Sequence, residues 1–397
     1  MGRQVNPGKD PVGALERRLR TGTLAEGLKN IRPRFKRYGM LKNTLKKYYA
    51  IQEAGGWQPI PEGPTLKPEM IDDRVVDLRR RLAASGDYGN NLSVSTYFDE
   101  GLIQAVKQFQ ERHNLEPDGK VGKNTLAALN VPVEAKIDQL RVNLERARWL
   151  LHKMPAEYLW VDIAGFKVYH YQNEEVLWSS RIMVGKPYRH TPVFKSKIKY
   201  IVFNPTWTVP PTILKEDILP KLKQGPGYLH EKKIQVIDRD GSFVDPASVD
   251  WSLYNTSIPF TLKQAPGPHN ALGRMKFILP NKYFIFMHDT PSRNLFAKQD
   301  RAFSSGCIRV EKYTELAQRL LNDNVDWSSE KIQEVIDTEE TQRVNLSRKM
   351  PVILTYSTVF VSPDGDVIFY KDVYDRDNTV LKGLNEDFAI WQRKAFL

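Results

Sequence analysis

The sequence predicts an α+β, multidomain protein: helical segments first, then a mainly antiparallel β domain carrying an inserted segment. Three observations predict it. The chain has 397 residues, enough for two to three domains at about 150 residues each. Its apolar residues recur with helical spacing up to about Met154. After Pro155 the pattern switches to short β-branched and aromatic runs separated by turns.

Residues 1–55 read as helical and basic. Arg32, Arg34, Lys36, Arg37, Lys42, Lys46 and Lys47 follow one another with no acidic residue between them. Such a run is a solvated helix face or a nucleic-acid contact stripe, and the sparse aromatics (Phe35, Tyr38, Tyr48, Tyr49) favour the former. Gly55, Gly56 and Pro59, Pro61, Pro64 and Pro68 then end the helix in a linker or extended strap. Residues 1–70 are therefore expected to be a basic helical scaffold segment with its linker. Val75, Leu78 and Leu82, then Leu102, Ala105, Val106 and Phe109, predict two amphipathic helices, and a third short one is expected at Thr125 to Leu129, so 71–131 is read as a three-helix domain. One connecting helix is expected over 132–155, with Ile137, Leu140, Leu144, Ala147 and Leu151 on one stripe.

The β domain is expected over 156–330. Strand-like runs stand at Tyr158 to Ile163, Phe166 to Tyr171, Val176 to Val184, Ile198 to Phe203, Met275 to Leu279 and Tyr283 to Met287. Residues 212–265 interrupt them with Lys-, Asp- and Pro-rich sequence, as a functional lid or a decorative subdomain. A helix from about Val310 to Leu321 follows. Residues 331–397 read as an extension: an acidic helical stretch, then a hairpin-like pair, Val352 to Val361 and Val367 to Tyr370, around Pro363-Asp364-Gly365.

Composition excludes several classes. A single cysteine, Cys307, rules out an intrachain disulfide and a Cys-rich zinc site. No metal or cofactor is expected, since no His-Glu-x-x-His pair occurs. No apolar run is long enough to span a membrane. Met1 to Asn6 has no signal-peptide character, so the protein is cytosolic or its targeting segment has been removed. The net charge of +12 points to an anionic partner without saying which.

The chemistry gathers at Ser304-Ser305-Gly306-Cys307-Ile308-Arg309. A thiol a few residues ahead of a helix, with Arg309 close by, is expected to have a depressed pKa and to act as a nucleophile; the bland reading is a buried small residue. Gly306 lets backbone N–H groups approach a developing oxyanion. His288 ends an apolar strand one polar loop before the cysteine, where it is a base or a satisfied hydrogen-bonding residue.

Asp118-Gly119-Lys120-Val121-Gly122-Lys123-Asn124-Thr125-Leu126-Ala127-Ala128-Leu129-Asn130 resembles the end of the three-helix peptidoglycan-binding domain family. The strings Pro266 to Phe277, His288-Asp289-Thr290 and Ser304 to Arg309 resemble the L,D-transpeptidase family with the YkuD-type catalytic domain. Trp207, in Asn204 to Pro210, extends the likeness to its large periplasmic members, which carry a peptidoglycan-binding domain and a substrate-capping insertion. The resemblance implies Cys307 as nucleophile, His288 as base, the Asp289 carbonyl orienting the imidazole, and the Gly306 and Cys307 amides as oxyanion hole. It also implies Arg309 on a substrate carboxylate or bracing the loop. Trp207 is a groove wall or a core residue. Two positions depart from the family pattern. Ser305 stands where many members have His, and Phe286 where a tyrosine hydroxyl could have reached the oxyanion.

The implied reaction is 3→3 cross-linking of peptidoglycan stem peptides through a cysteine thioester, releasing D-alanine from a tetrapeptide donor. The implied partners are peptidoglycan stems and glycan, and carbapenems as inhibitors; nucleic acid is not expected. The implied place is the periplasm of a Gram-negative bacterium. The alternatives are an L,D-carboxypeptidase and a catalytically silent peptidoglycan-binding scaffold.

Overall fold

The structure is a computed structural model that describes residues 11–31, 33, 35–89, 94–150, 154–322, 326–362 and 365–386. Arg32, Arg34, Leu151, Pro363, Asp364 and the first six residues, all singled out above, lie outside them. The chain divides into two compact units, Met1–Met154 with Val359–Phe369 and Arg376–Leu397, and Pro155–Thr358 with Tyr370–Asp375.

The first unit begins with helices α1 (Pro11–Arg20), α2 (Leu24–Ile31) and α3 (Lys36–Glu53). The three-helix domain consists of α4 (Arg74–Ser85), α5 (Glu100–Arg112) and α6 (Lys123–Leu129), and α7 (Val133–Leu150) follows. Val75, Leu78, Leu82, Leu102, Val106 and Phe109 close its core, each fully buried, and each such side chain contributes roughly 1.5–3 kcal/mol. The Asp99 carboxylate caps α5 by accepting from the Leu102 amide. The strap differs from the expected linker. Ile60 and Leu66 are buried in this core, Leu66 bridges Val121, and Asn130 exchanges two hydrogen bonds with the Ile60 backbone at 2.8 Å each. The domain therefore begins before residue 71, because three short helices lack the apolar surface to close a core without it. The hairpin Val359–Val361 with Val367–Phe369 belongs to this unit and brings Phe369 against Tyr48 and His113.

The second unit is built on one mixed sheet. Its strands are β1 (Glu157–Asp162), β2 (Lys167–Gln172), β3 (Glu175–Gly185), β4 (Phe194–Phe203), β9 (Met275–Ile278), β10 (Met287–His288), β11 (Ala302–Ser304), β12 (Ile308–Val310) and β13 (Gln342–Thr355). They run in the order β11-β3-β12-β10-β9-β4-β13-β1-β2, and β2 also pairs with β3, so the sheet closes on itself. Most neighbours are antiparallel; β1–β13, β10–β12 and β3–β11 are parallel. Helices α8 (Tyr313–Leu321) and α9 (Ser329–Asp337) follow β12.

The inserted segment forms a second sheet of β5 (Trp207–Thr208), β6 (Gln235–Ile237), β7 (Phe243–Val244) and β8 (Thr261–Gln264), ordered β5-β8-β6-β7. Short helical turns between residues 211 and 231 pack on it, and Ile218, Leu219, Leu222, Leu229, Val236, Trp251 and Leu262 form its own core.

Two expectations are corrected. The β domain does not stop at 330: Gln342–Thr355 is a central strand, paired with β4 on one side and β1 on the other. Pro351 disguised it, because proline cannot donate to a ladder and argues against a central strand; it nonetheless pairs with Lys197 of β4, just past a bulge between Asn345 and Met350. Tyr283 to Met287 is not one strand. The Asn281 side chain accepts from the Tyr283 and Ile285 amides and donates to the Leu279 and Ile285 carbonyls, which bends 281–285 into a turn with Phe284 at φ 57° and exposed.

Lys136 on α7 is buried, its Nζ 4.4 Å from the centre of the Phe369 ring. Burial first, then the charges of Arg81 and Arg112, push its pKa down to about 7. Between that value and the ordinary 10.5 the unfolded chain holds a proton the folded one lacks, so this contribution to stability rises with pH through that window. Lys136→Met is expected to flatten that slope and to stabilise the chain at pH 7 by on the order of a few kcal/mol. Urea denaturation of both proteins at pH 7 and pH 10 measures this; parallel pH slopes would refute it.

Candidate active site

The site is set by strand register. In β9, β10, β12 and β3, Lys276 pairs with His288, His288 with Arg309 and Arg309 with Met183, while Phe277, Met287 and Ile308 are paired one position along. Side chains alternate across a sheet. Phe277, Met287 and Ile308, all fully buried, therefore face the core, and Lys276, His288 and Arg309 share the opposite face. Phe286 stands with them, its ring beside Lys276 and His288, and the Cys307 thiol, in the turn before β12, lies within reach of the charges of Lys276 and Arg309.

Cys307 is half-buried in the turn between β11 and β12. Ser304 Oγ donates to the Cys307 carbonyl at 2.6 Å and accepts from the Gly306 amide at 3.0 Å, which closes a tight turn. Gly306 sits at φ 115°, a left-handed conformation disfavoured for any side chain; a Cβ there would also meet Ile285 Cδ1 at 3.2 Å. Thr191 Oγ1 donates to the Gly306 carbonyl at 2.8 Å. The turn is thus held from both ends.

The thiol pKa is raised, which corrects the expected depression. Burial is the largest influence and outweighs the Phe286 amide, Arg309 and Lys276, all of which favour thiolate. The helix invoked for depression, α8, starts only at Tyr313, with β12 between it and the thiol. His288 is buried and pushed down to about 3, by burial first and then by Arg309; Lys276 adds to this, against the carbonyls of Asp289 and Leu272. Its Nδ1 donates to the Asp289 carbonyl at 2.5 Å, and in that tautomer Nε2 carries the lone pair. Thiol and imidazole are both neutral at neutral pH. A buried neutral imidazole and two cations on one sheet face, with a thiol within reach of the cations, can move a proton and carry an acyl group.

The remaining expected residues are placed as follows. The Asp289 carboxylate is buried, accepts from the Arg274 amide at 2.9 Å and pairs with Arg293 at 2.9 Å. It fills the space that a side chain on Gly273, at φ 62°, would need. Arg309 has a buried Nε without a hydrogen-bond partner and no acidic partner among the described residues. Ser305 is exposed and its Oγ accepts from Arg189 at 2.8 Å. Trp207 lies at the root of the inserted segment, half-buried against that segment's core. The Gly306 amide, expected to donate to an oxyanion, is engaged by Ser304 Oγ at 3.0 Å. Lys276 was not singled out as a site residue, although the alternation of Lys276-Phe277 against Met287-His288 is the signal that would find it. Its Nζ lies 5.0 Å from the centre of the Phe286 ring, which is 5.5 Å from the His288 ring.

Residues 156–352 match the family described as "L,D-transpeptidase catalytic domain", and residues 72–129 the family described as "Putative peptidoglycan binding domain". A curated relative from Haemophilus influenzae, named "Putative L,D-transpeptidase", is 36% identical over 232 residues, 58% of this chain and 47% of the relative. The chain thus spans about half the length of that relative. Among solved structures, an L,D-transpeptidase (Yku) from Stackebrandtia nassauensis is 13% identical over 75% of this chain and 97% of its own, with a TM-score of 0.27. L,D-transpeptidase 1 from Mycobacterium tuberculosis is 13% identical over 50% of this chain and 61% of its own, with a TM-score of 0.19.

The electrostatics are testable on the resting protein. The alkylation rate of Cys307 by iodoacetamide is expected to rise with pH through a midpoint above that of a free thiol, and Lys276→Met to move the midpoint higher by removing a charge that favours thiolate. A midpoint at or below that of a model thiol, or one unmoved by Lys276→Met, would contradict this.

Proposed function

We propose that this chain, whose residues 156–352 belong to the YkuD family of L,D-transpeptidase catalytic domains and whose residues 72–129 are a peptidoglycan-binding domain, forms 3→3 cross-links between peptidoglycan stems. The observation that carries the reading is the single sheet face bearing Lys276, His288 and Arg309, with the Cys307 thiol within reach of the two cations. His288 takes the Cys307 proton as the sulfur attacks the carbonyl of the donor's third residue. The Cys307 amide donates to the developing oxyanion. The bond to D-alanine breaks, the imidazolium returns its proton to the leaving amine, and a thioester remains. The side-chain amine of a second stem gives its proton to His288 as it displaces the sulfur, leaving an amide cross-link and a free thiol.

The neutral resting pair suits this sequence. Neither group bears an isolated charge in a buried place, and thiolate and imidazolium arise together. Arg309, without an acidic partner, fits a carboxylate of the stem peptide. The peptidoglycan-binding domain raises the effective substrate concentration by tethering, and the inserted segment excludes water from the acyl-enzyme, so that amine is favoured over hydrolysis. The +12 charge suits an anionic wall polymer, and the place of action is the periplasm of a Gram-negative bacterium.

Incubation with a carbapenem is expected to add one inhibitor mass to the intact protein and none to Cys307→Ala. Incubation with purified tetrapeptide stems is expected to yield a dimer lacking one D-alanine. Tripeptide monomer alone would make the chain an L,D-carboxypeptidase; neither adduct nor product would make it a wall-binding scaffold. Deleting residues 212–265 is expected to shift products from cross-link to hydrolysis, with carbapenem acylation reporting that the shortened chain still folds. An unchanged ratio in an acylating deletion would refute the role given to the segment.

A further inference from the structure

We infer that Arg189 is a positioning residue that couples the seating of the inserted segment to the turn carrying Cys307, a role that rests on the reading above of Cys307 as the acylated residue. Arg189 lies between β3 and β4, and its side chain is 8% exposed. Nη1 donates to Ser305 Oγ at 2.8 Å and to Asp217 at 2.5 Å; Nη2 donates to Glu216 at 2.7 Å and Asp217 at 3.1 Å; Nε donates to Glu216 at 3.2 Å. A guanidinium has five N–H protons in a fixed planar fork, and these five bonds use them all. One rigid group thus holds two carboxylates of the inserted segment and the hydroxyl two residues before the thiol.

Its backbone is fixed on the side of the nucleophile. The Arg189 amide donates to the Lys186 carbonyl at 2.9 Å, and the Lys186 amide donates to the Ser304 carbonyl at 2.9 Å. Thr191 bonds the Gly306 carbonyl through Oγ1, which also accepts from the Gly185 amide. Tyr374, on the returning segment Tyr370–Asp375, donates to the Gly185 carbonyl at 2.7 Å and accepts from the Thr191 amide at 3.2 Å. The loop that carries Arg189 and the turn that carries Cys307 therefore form one hydrogen-bonded block.

The far end of Arg189 is the turn Leu214–Ile218, whose Ile218 is buried in the inserted segment's core. Movement of that segment away from the block must break charge-assisted bonds and leave a mostly buried guanidinium short of partners, which is costly. Seating and turn geometry are consequently linked. The Ser305 O–H, its oxygen held by Arg189, is left to donate elsewhere. Lysine cannot replace the fork, since an ammonium is a point charge with three donors.

The test reads the turn while changing either Arg189 itself or only its two carboxylate partners in the inserted segment. Hydrogen–deuterium exchange of the full chain is measured over 303–309 and 211–222 in wild type, Arg189→Gln, Arg189→Lys and the double variant Glu216→Gln/Asp217→Asn. The double variant is expected to speed exchange in 303–309 as well as 211–222, and Arg189→Gln to do the same. With stem peptides, Arg189→Gln is expected to shift the cross-link-to-hydrolysis ratio toward hydrolysis by roughly fivefold, with Arg189→Lys intermediate and carbapenem acylation of Cys307 retained. Exchange changes confined to 211–222, or an unchanged product ratio in Arg189→Gln, would overturn the coupling. Failure of the wild type to gain a carbapenem adduct would instead sink the assignment of Cys307, while the exchange measurement still decides the coupling.

Discussion

The register of the short strands β9, β10 and β12 is the constraint on which the rest of the second unit depends. A slip of one residue in any of them would carry its charged or titratable side chain to the core face and bring Phe277, Met287 or Ile308 to the surface. The fully buried apolar residues thus fix which face Lys276, His288 and Arg309 occupy. The ladder is short, with β10 only two residues long, so it borrows rigidity from its surroundings. Asn281 shapes the turn before it, and the Asp289 carboxylate ties the residue after His288 to the Gly273-Arg274 turn.

That arrangement sets the electrostatics. Two cations stand beside a thiol and an imidazole, and by charge alone the thiol would ionise. Burial opposes this: it raises the thiol, and together with the same cations it depresses the imidazole. Thiol and imidazole therefore rest uncharged beside two cations, an arrangement that suits the negative charge developing in the reaction proposed above. Ser304, Thr191 and Gly306 add geometry, since they hold the turn in a left-handed conformation that a residue with a side chain would resist.

The first unit obeys a different economy. A three-helix core of this size is small, and it gains closure from the strap at Ile60 and Leu66 and from ionic groups held inside. Arg79, fully buried, donates to Tyr88 Oη at 2.5 Å, to the Tyr97 carbonyl at 2.6 Å and to Asp99 at 2.6 Å. It sits next to Leu78 on α4, and no apolar period announces it. Lys136 is the opposite case, a buried amine facing an aromatic ring.

Much was legible in the sequence because local signals carried it. Helical spacing located α4, α5 and α7, alternation and β-branched runs located β1 to β4, and the strings around His288 and Cys307 pointed to the family whose model matches residues 156–352. What the chain could not reveal one segment at a time depended on partners distant in sequence. Pro351 hid β13, because a proline looks wrong for a central strand until its pairing with Lys197 of β4 is known. The thiol's ionisation is not legible locally, because Arg309 stands two residues away in sequence whereas the desolvation that outweighs it comes from strands brought in from elsewhere. Lys276 and Arg189 became part of the site only through pairing and the inserted segment's carboxylates. The sequence by itself determined most of the helices, the first four strands and the candidate thiol and imidazole. The tertiary structure decided which of those residues share a face, how dry that face is and what braces it, because register, burial and long-range ion pairs exist only once distant segments meet.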